Sequence, residues 1–143
     1  MSTEWTKDQQ NAINARGAQV LVAAAAGSGK TAVLTERVKN ILCDTENTCS
    51  VSEILVVTFT RAAASEMRER IAAALKDELR RSGNPYIRKQ LLLLPTADIC
   101  TIDSFCAKLV KENFHLAGIS ADYSMLDEAE EKKLLSESAE TVI

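Results

Sequence analysis

The residues best suited to chemistry lie in a stretch of small side chains near the N-terminus. Residues 23–31 read Ala-Ala-Ala-Ala-Gly-Ser-Gly-Lys-Thr. Small residues let backbone N–H groups approach phosphate oxygens, Lys30 can reach the β and γ phosphates of a nucleotide, and the Thr31 hydroxyl can ligate Mg²⁺. The general pattern has glycine at its first position, where this chain has Ala24. The stretch predicts a phosphate-binding loop formed by Ala24, Ala25, Ala26, Gly27, Ser28, Gly29, Lys30 and Thr31.

Such a loop has to stand between a strand and the N-terminus of a helix. Residues 20–22 are a short apolar run typical of a buried parallel strand, and Ala32 opens a helical pattern. Residues 54–59 form a second apolar run, which completes a predicted strand–helix–strand unit with a right-handed crossover. The fold class that follows is α/β, a P-loop parallel sheet with flanking helices.

Further elements are predicted along the rest of the chain. Apolar spacing predicts helices over residues 60–81, 86–94 and 103–114, and a third strand over residues 97–102. Cys100 lies in this third apolar run and is expected to be buried. The inward-facing side chains expected in the helices are Leu34, Val38, Ile41 and Leu42 after the loop, then Met67, Ile71, Leu75 and Leu79, and finally Phe105, Leu109 and Val110.

Composition restricts the function classes. The 143 residues are 46% hydrophobic and carry a formal net charge of −3, so binding to nucleic acid would depend on a local surface. No apolar run reaches the roughly 18 residues of a membrane span, and the N-terminus does not resemble a signal peptide, which predicts a cytoplasmic protein. The cysteines form two C-x5-C pairs, spacing that does not suit a zinc site, and are expected to be reduced thiols; Cys43 and Cys49 are expected to flank a loop.

Charge is unevenly distributed. From Arg61 to Lys89 there are eight basic and four acidic residues, which gives either a local basic surface or a solvated helix face. The tail from Asp122 carries seven acids and two lysines. Its Asp-Glu-Ala-Glu at 127–130 superficially matches an acidic Mg²⁺ motif, but no buried apolar strand precedes it in residues 122–126. We therefore interpret Asp127 as the N-cap of a helix.

Gln9 has two interpretations on local sequence alone. With Thr6 it can form a capping box at the start of a helix, which requires no ligand. Its amide could instead read the edge of an adenine base, since it offers both a donor and an acceptor. Local sequence favours the cap.

Four motifs together resemble a known family in order and spacing. They are Trp5-Thr6-x-x-Gln9, then Ala24-x-x-Gly27-Ser28-Gly29-Lys30-Thr31, then Val57-Thr58-Phe59-Thr60-x-Ala62-Ala63, and Thr101-Ile102-Asp103-Ser104-Phe105-Cys106. This series resembles the Q motif and motifs I, Ia and Ib of superfamily 1 UvrD-like DNA helicases, in which alanine is usual at the position of Ala24. The alanine run before Gly27 and the stretch at 126–130 point further, to the AddA/RexA branch of helicase/nuclease subunits.

The resemblance implies ATP and Mg²⁺ as cofactors, with Lys30 and Thr31 as catalytic residues and Thr31 as a metal ligand. It makes Gln9 the adenine reader, in addition to its capping role. It also implies contact with single-stranded DNA, since stacking on an aromatic side chain tolerates any base. Asp103 stands where histidine is common, and Arg61 where asparagine is common; an aspartate would repel phosphate. The implied DNA-binding residues are Phe59, Thr60, Arg61, Thr101, Ser104 and Phe105.

The resemblance also implies that these residues are an N-terminal fragment. Residues 1–114 would be part of a RecA-like ATP-binding domain and residues 115–143 the start of an acidic helical insertion. The intact protein would unwind and cut DNA in double-strand-break repair with a second nuclease subunit of the AddB/RexB type. Motif II, the arginine finger and the nuclease domain would lie elsewhere. Strands of the family's sheet that stand between motifs I and Ia would be missing, so open sheet edges are expected, with strand rearrangement, pairing with another copy or local disorder.

Two other function classes fit the loop. One is a small self-contained P-loop kinase or NTPase, although no strand ending in aspartate supplies a second Mg²⁺ ligand. The other is a non-catalytic module whose loop binds phosphate passively.

Overall fold

Helices dominate the chain. The computed structural model describes residues 4–17, 19–46, 48–120, 122–124 and 126–142, and residues 1–105 and 106–143 form two compact units. The described helices and strands are α1 (Lys7–Asn14), α2 (Lys30–Leu42), β1 (Leu55–Thr58), α3 (Arg61–Ser82), α4 (Pro85–Leu93), β2 (Asp98–Thr101), α5 (Ile102–Glu112), α6 (Phe114–Ala117) and α7 (Glu128–Val142), with 3₁₀ turns at Val51–Glu53 and Leu94–Thr96.

The sheet in the first unit has two parallel strands. β1 pairs with β2 in a register that sets Leu55 opposite Asp98 and Thr58 opposite Thr101. The connection between them contains α3 and α4. The strand–helix–strand unit of this chain is therefore built from the second and third predicted strands.

The predicted first strand is wrong. Residues 20–22 are not in a strand, and Leu21 is 95% exposed, with Val20 and Val22 also exposed. A strand is held by hydrogen bonds to a neighbouring strand, and in the described part of the chain β1 pairs only with β2. The predicted crossover from residues 20–22 through α2 to β1 is therefore absent, whereas the expected open sheet edge is confirmed.

The main core lies between α3 and the sheet. Residues three or four apart on α3 bury one face, as its sequence pattern predicts. Val38 and Leu42 of α2 join it as predicted, but Leu34 is partly exposed and Ile41 only half-buried. Cys100 is also half-buried rather than buried. The buried residues of this core are Val38, Leu42, Val51, Val56, Met67, Ile71, Leu75, Ile87, Leu94, Ala97 and Ile99, with Leu79 packed against them.

A second, smaller apolar cluster joins α1 to α2. It consists of Ala12, Ile13 and Val33, and Trp5 packs against it. This cluster lies beside the predicted phosphate-binding loop, because Val33 is in the first turn of α2.

Two side chains of α4 fix the segment that leads into β1. The Gln90 Oε1 atom accepts a hydrogen bond of 2.8 Å from the Val51 backbone N–H, and the Tyr86 hydroxyl donates one of 2.8 Å to the Cys49 carbonyl. Gln90 is buried. Since β1 begins four residues after Val51, these bonds set where the strand starts.

The C-terminal elements differ in part from expectation. α5 contains no buried residue, so the prediction that Phe105, Leu109 and Val110 face inward is wrong; no layer of apolar side chains covers α5 in the described structure. The Asp127 cap is confirmed, since its Oδ1 atom accepts hydrogen bonds of 2.9 Å from the backbone N–H groups of Ala129 and Glu130. Met125, in the segment before this cap, lies outside the described residues, as does Asn47 in the loop between Cys43 and Cys49.

Candidate nucleotide and nucleic-acid sites

The glycine-rich loop turns directly into α2. Gly29 is the N-cap residue of α2 with φ of +82°, and Gly27 has φ of +78°. Both values fall in the left-handed region that favours glycine. Of the described residues other than glycine, none has a positive φ, so the backbone at Ala24 does not require glycine. The alanine at the first motif position is therefore compatible with the loop.

The lysine of the loop lies against the loop's own backbone. Lys30 Nζ donates hydrogen bonds of 2.7 Å to the Ala24 carbonyl and 2.6 Å to the Ala25 carbonyl. The first turn of the 13-residue α2 contains no acidic residue. The positive end of the helix dipole and an ammonium group are thus placed together, which suits an anionic phosphate group.

Gln9 performs its capping role and also contacts the loop. Its Oε1 accepts a hydrogen bond of 2.9 Å from the Thr6 N–H, and Thr6 Oγ1 accepts one of 3.3 Å from the Gln9 N–H, so the capping box is confirmed. Gln9 Nε2 donates a hydrogen bond of 3.2 Å to the Ser28 carbonyl. One amide hydrogen and one oxygen lone pair remain for another partner, which are the two groups an adenine edge requires.

Two adjoining cavities of about 340 Å³ each lie beside this loop. Both are lined by Lys30 and by the apolar side chains Ala12, Val22 and Val33. One extends towards Leu34 and Arg37, and the other towards Thr6, Asp8, Gln9, Ala23, Ala24 and Ser28. Apolar walls with a few polar groups at one end are typical of small-ligand sites.

Arg37 is a residue at this site that the sequence interpretation missed. Its Nη1 atom donates a hydrogen bond of 2.7 Å to the Ala12 carbonyl and a longer one of 3.5 Å to the Ile13 carbonyl. A signal existed, because Arg37 lies four residues after the buried Val33 and so shares its helix face.

The metal ligand set is only partly present. Thr31 is exposed at the second position of α2, where its hydroxyl could face a phosphate-bound cation. Within the described ranges, no group of three or more His, Cys, Asp or Glu side chains could hold a metal ion. The residues present fit the phosphates of ATP, and Thr31 would contribute one Mg²⁺ ligand.

The predicted DNA-contacting residues meet at one edge of the sheet. Because Thr58 and Thr101 are opposite each other in a parallel pair, α3 and α5 begin at the same edge. Phe59 is 98% exposed there, and Arg61 and Ser104 are exposed as well. Phe105 is half-buried. An exposed aromatic ring beside two helix N-termini suits a nucleic-acid strand, which combines bases that stack with phosphates.

The two threonines at this edge already have structural partners. Thr60 Oγ1 accepts a hydrogen bond of 3.1 Å from the Ala63 N–H and so caps α3. Thr101 is buried, and its hydroxyl lies 2.8 Å from Ser104 Oγ and accepts from the Ser104 N–H at 3.2 Å. Direct contact with DNA is therefore easier for Phe59, Arg61 and Ser104 than for these hydroxyls.

The basic stretch between residues 61 and 89 is largely engaged in local pairs. Arg70 pairs with Glu66 along α3, and the same helix contains the pairs Arg80 with Asp77 and Arg81 with Glu78. Arg68 donates a hydrogen bond of 2.8 Å to the Ile99 carbonyl of β2. These pairs agree with a solvated helix face more than with a dedicated basic surface.

Two of the thiols are held in the protonated form. Burial raises the pKa of Cys43, and the nearby Glu78 raises it further; burial and then Glu53 raise the pKa of Cys49. A protonated thiol is a poor nucleophile and a poor metal ligand. These pKa shifts agree with inert reduced cysteines.

Comparison with known proteins places this geometry in a family. The profile of the UvrD/REP helicase N-terminal domain matches residues 5–142, nearly the whole chain. The chain belongs to the UvrD/REP helicase N-terminal domain family. Membership agrees with a P-loop, RecA-like fold, although this chain alone forms a helix-rich structure with a two-stranded parallel sheet.

Individual relatives are similar over almost all of these residues. An ATP-dependent helicase/nuclease subunit from Ruminiclostridium cellulolyticum is 48% identical over 137 residues, which cover 95% of this chain and 11% of the relative. The protein of the same name from Thermoanaerobacter sp. is 50% identical over 143 residues, covering 98% and 11%. The chain thus spans about a tenth of the length of the curated relatives it matches, at their N-terminal part. In the described residues, no helix is long and apolar enough to cross a membrane.

Proposed function

We propose that this chain is the N-terminal ATP-binding part of an ATP-dependent DNA helicase/nuclease subunit that acts in double-strand-break repair and recombination. The observation that carries the proposal is the position of Gln9, whose amide lies against the Ser28 carbonyl of the loop that ends in Lys30. One side chain is thereby placed next to the phosphate loop with a donor and an acceptor left over, an arrangement suited to a nucleotide rather than to phosphate alone.

Each residue of the loop has a proposed role. The backbone N–H groups of residues 24–29 and the Lys30 ammonium would hold the phosphates of ATP, and the Thr31 hydroxyl would ligate Mg²⁺. Before it can reach a phosphate, Lys30 must exchange its bonds to the Ala24 and Ala25 carbonyls. Bound Mg²⁺ would supply charge neutralisation between the β and γ phosphates.

The sheet edge would bind single-stranded DNA. Phe59 offers a fully exposed ring for stacking, which is worth about 1–3 kcal/mol per base and does not depend on sequence. Arg61 and the N-terminus of α5 at Ser104 would hold backbone phosphates. Sequence-independent contact is what a motor that moves along DNA needs.

These residues alone are proposed to bind without unwinding or cutting DNA. The relatives are helicase/nuclease subunits about ten times longer than the chain, and the described residues contain no group of acids able to complete a metal site. Transition-state groups such as an arginine finger contribute about 10³ to 10⁵ in rate and would come from the remainder of the intact protein. The intact protein would be cytoplasmic and would work with a second nuclease subunit of the AddB/RexB type.

Isothermal titration calorimetry with ATP and Mg²⁺ tests the nucleotide site. We expect Lys30→Ala to weaken binding by more than about tenfold, since a charge-assisted hydrogen bond to phosphate is lost. Lys39→Ala is the matched control, because it removes the same charge from the same helix at a side chain paired with Glu36. Equal affinity of wild type and Lys30→Ala would support passive phosphate binding or no site at all. ATP turnover by this chain without DNA would support the small kinase or NTPase instead.

A further inference from the structure

Arg37 ties α2 to the C-terminal end of α1. Its guanidinium donates 2.7 Å and 3.5 Å hydrogen bonds to the carbonyls of Ala12 and Ile13. The last carbonyls of a helix have no partner within the helix, and a positive charge there is favoured by the helix dipole. Arg37 is half-buried, so these bonds are partly shielded from water.

The opposite end of α1 is tied to the loop that precedes α2. Gln9 Nε2 donates to the Ser28 carbonyl at 3.2 Å, and a Cβ added to Gly29 would lie 3.4 Å from the same nitrogen. Between these ends, Ala12 and Ile13 pack on Val33. α1 is only eight residues long, and a helix of that length is marginal by itself. Its position is therefore set by these three contacts with the loop and α2.

We propose that Arg37 is a positioning residue for base recognition. By holding the C-terminal end of α1, it keeps Gln9 at the distance from the phosphate loop at which the amide can meet an adenine edge. Arg37 does not touch the base in this role. The inference rests on the proposed function, because it requires Gln9 to be the adenine reader.

Arg16 provides a matched control on the same end of the same helix. Its Nη1 atom donates to the Ile13 carbonyl at 2.9 Å and to the Ala15 carbonyl at 3.1 Å. These bonds remain within one continuous segment of chain, so they cap α1 without linking it to α2. A difference between Arg37 and Arg16 variants thus isolates the link from the cap.

The test compares Arg37→Met, Arg37→Lys, Arg16→Met, Gln9→Ala and the double variant Gln9→Ala/Arg37→Met in the complete chain. Affinities are measured for ATP, GTP and inorganic tripolyphosphate, each with Mg²⁺. Trp5 is the single tryptophan and packs on Ala12, Ile13 and Val33, so its fluorescence reports the position of α1 independently of any ligand. Hydrogen exchange of the α1 amides gives a second ligand-free measurement.

We expect Arg37→Met and Gln9→Ala each to lower the preference for ATP over GTP by about tenfold, the effect of about one hydrogen bond, while tripolyphosphate affinity changes by less than about twofold. The double variant should lose no more than either single variant, since both act through one contact. Arg37→Met should also shift Trp5 emission and speed exchange in α1. Arg37→Lys, which keeps the charge and one donor, should be intermediate, and Arg16→Met should resemble wild type.

Different outcomes overturn the two proposals. If Gln9→Ala lowers the ATP preference and both Arg37 variants keep it, adenine reading stands and the role of Arg37 is wrong. If Arg16→Met causes the same loss as Arg37→Met, the helix cap rather than the link to α2 is responsible, and the inference is again wrong. If Gln9→Ala keeps the full preference, adenine reading itself fails, and the role of Arg37 fails with it.

Discussion

Gly29 carries two constraints at once. Its φ of +82° belongs to the region that side chains other than glycine rarely adopt, and a Cβ at this position would be 3.4 Å from Gln9 Nε2. Gly83, at the C-cap of α3, carries only the first constraint, since a Cβ there would meet nothing within 4 Å. The two glycines therefore separate backbone strain from crowding of the nucleotide site.

At the residue scale, Gly29→Ala and Gly83→Ala should have the same effect on stability and different effects on binding. Each should lower the free energy of unfolding by about 1–2 kcal/mol, the cost of a left-handed conformation with a Cβ. Only Gly29→Ala should reduce the preference for ATP over GTP, because it pushes on Gln9. Urea denaturation and nucleotide titration of both variants check this. A preference that falls equally in both would mean that strain alone disturbs the site.

At the element scale, α3 is the helix on which the sheet rests. Met67, Ile71 and Leu75 are buried against the core, and Arg68 of the same helix donates to the Ile99 carbonyl in β2. Thr60 caps its start, directly after the exposed Phe59. The proposed DNA-binding edge is therefore positioned by the packing of α3.

Truncation of α3 in the core should be costly. Ile71 is completely buried, and Ile71→Ala should lower the free energy of unfolding by about 2–5 kcal/mol through lost burial and a residual cavity. Leu92→Ala, at a side chain 76% exposed on α4, should change it by less than about 0.5 kcal/mol. Chemical denaturation followed by circular dichroism measures both. Similar values for the two variants would contradict the assignment of this core.

Elements held by local pattern were predictable, and those held by distant partners were not. The apolar spacing of α3 and the capping residues Thr6 and Asp127 are visible in the sequence because the interacting groups are three or four residues apart. Residues 20–22 have the composition of a strand, but a strand forms only where another strand supplies hydrogen bonds. The contact from Arg37 to α1 was missed for a similar reason, since it joins residues 24 and 25 positions apart.

The nucleotide site was predicted in outline. The sequence indicates the loop and leaves Gln9 between a cap and a base reader. The geometry shows the cap and a contact from the same amide to the loop. The adenine, Mg²⁺ and DNA roles remain predictions. The boundary expected after residue 114 also remains one, and the compact units meet at residues 105 and 106.

At the scale of the whole molecule, the sheet exposes one apolar face. Val56 points into the core, whereas Leu55 and Val57 are 46% and 43% exposed. A cavity of about 310 Å³ lies between this strand and α2, lined by Leu34, Ile41 and their neighbours. Exposed apolar strands without a second neighbour are prone to pair with another chain.

We expect this chain to self-associate as its concentration rises, and Val57→Lys to suppress the association. A lysine on an exposed strand position disfavours pairing and costs little stability at a half-exposed site. Leu92→Lys is the control, since it adds the same charge at an exposed apolar position outside the sheet. Sedimentation velocity over a range of concentrations measures both variants. Monomeric wild type at every concentration, or equal effects of the two lysines, would contradict the prediction.

The separation of the two apolar clusters gives α1 a lifetime of its own. Ala12, Ile13 and Val33 are not part of the main core, so α1 can open while α3 and the sheet stay folded. A nucleotide that bridges Gln9 and the phosphate loop binds only the closed form and lengthens the time that this form persists. Cleavage by a protease near α1 would then follow the supply of ATP, and the same nucleotide would act as fuel and as part of the interior.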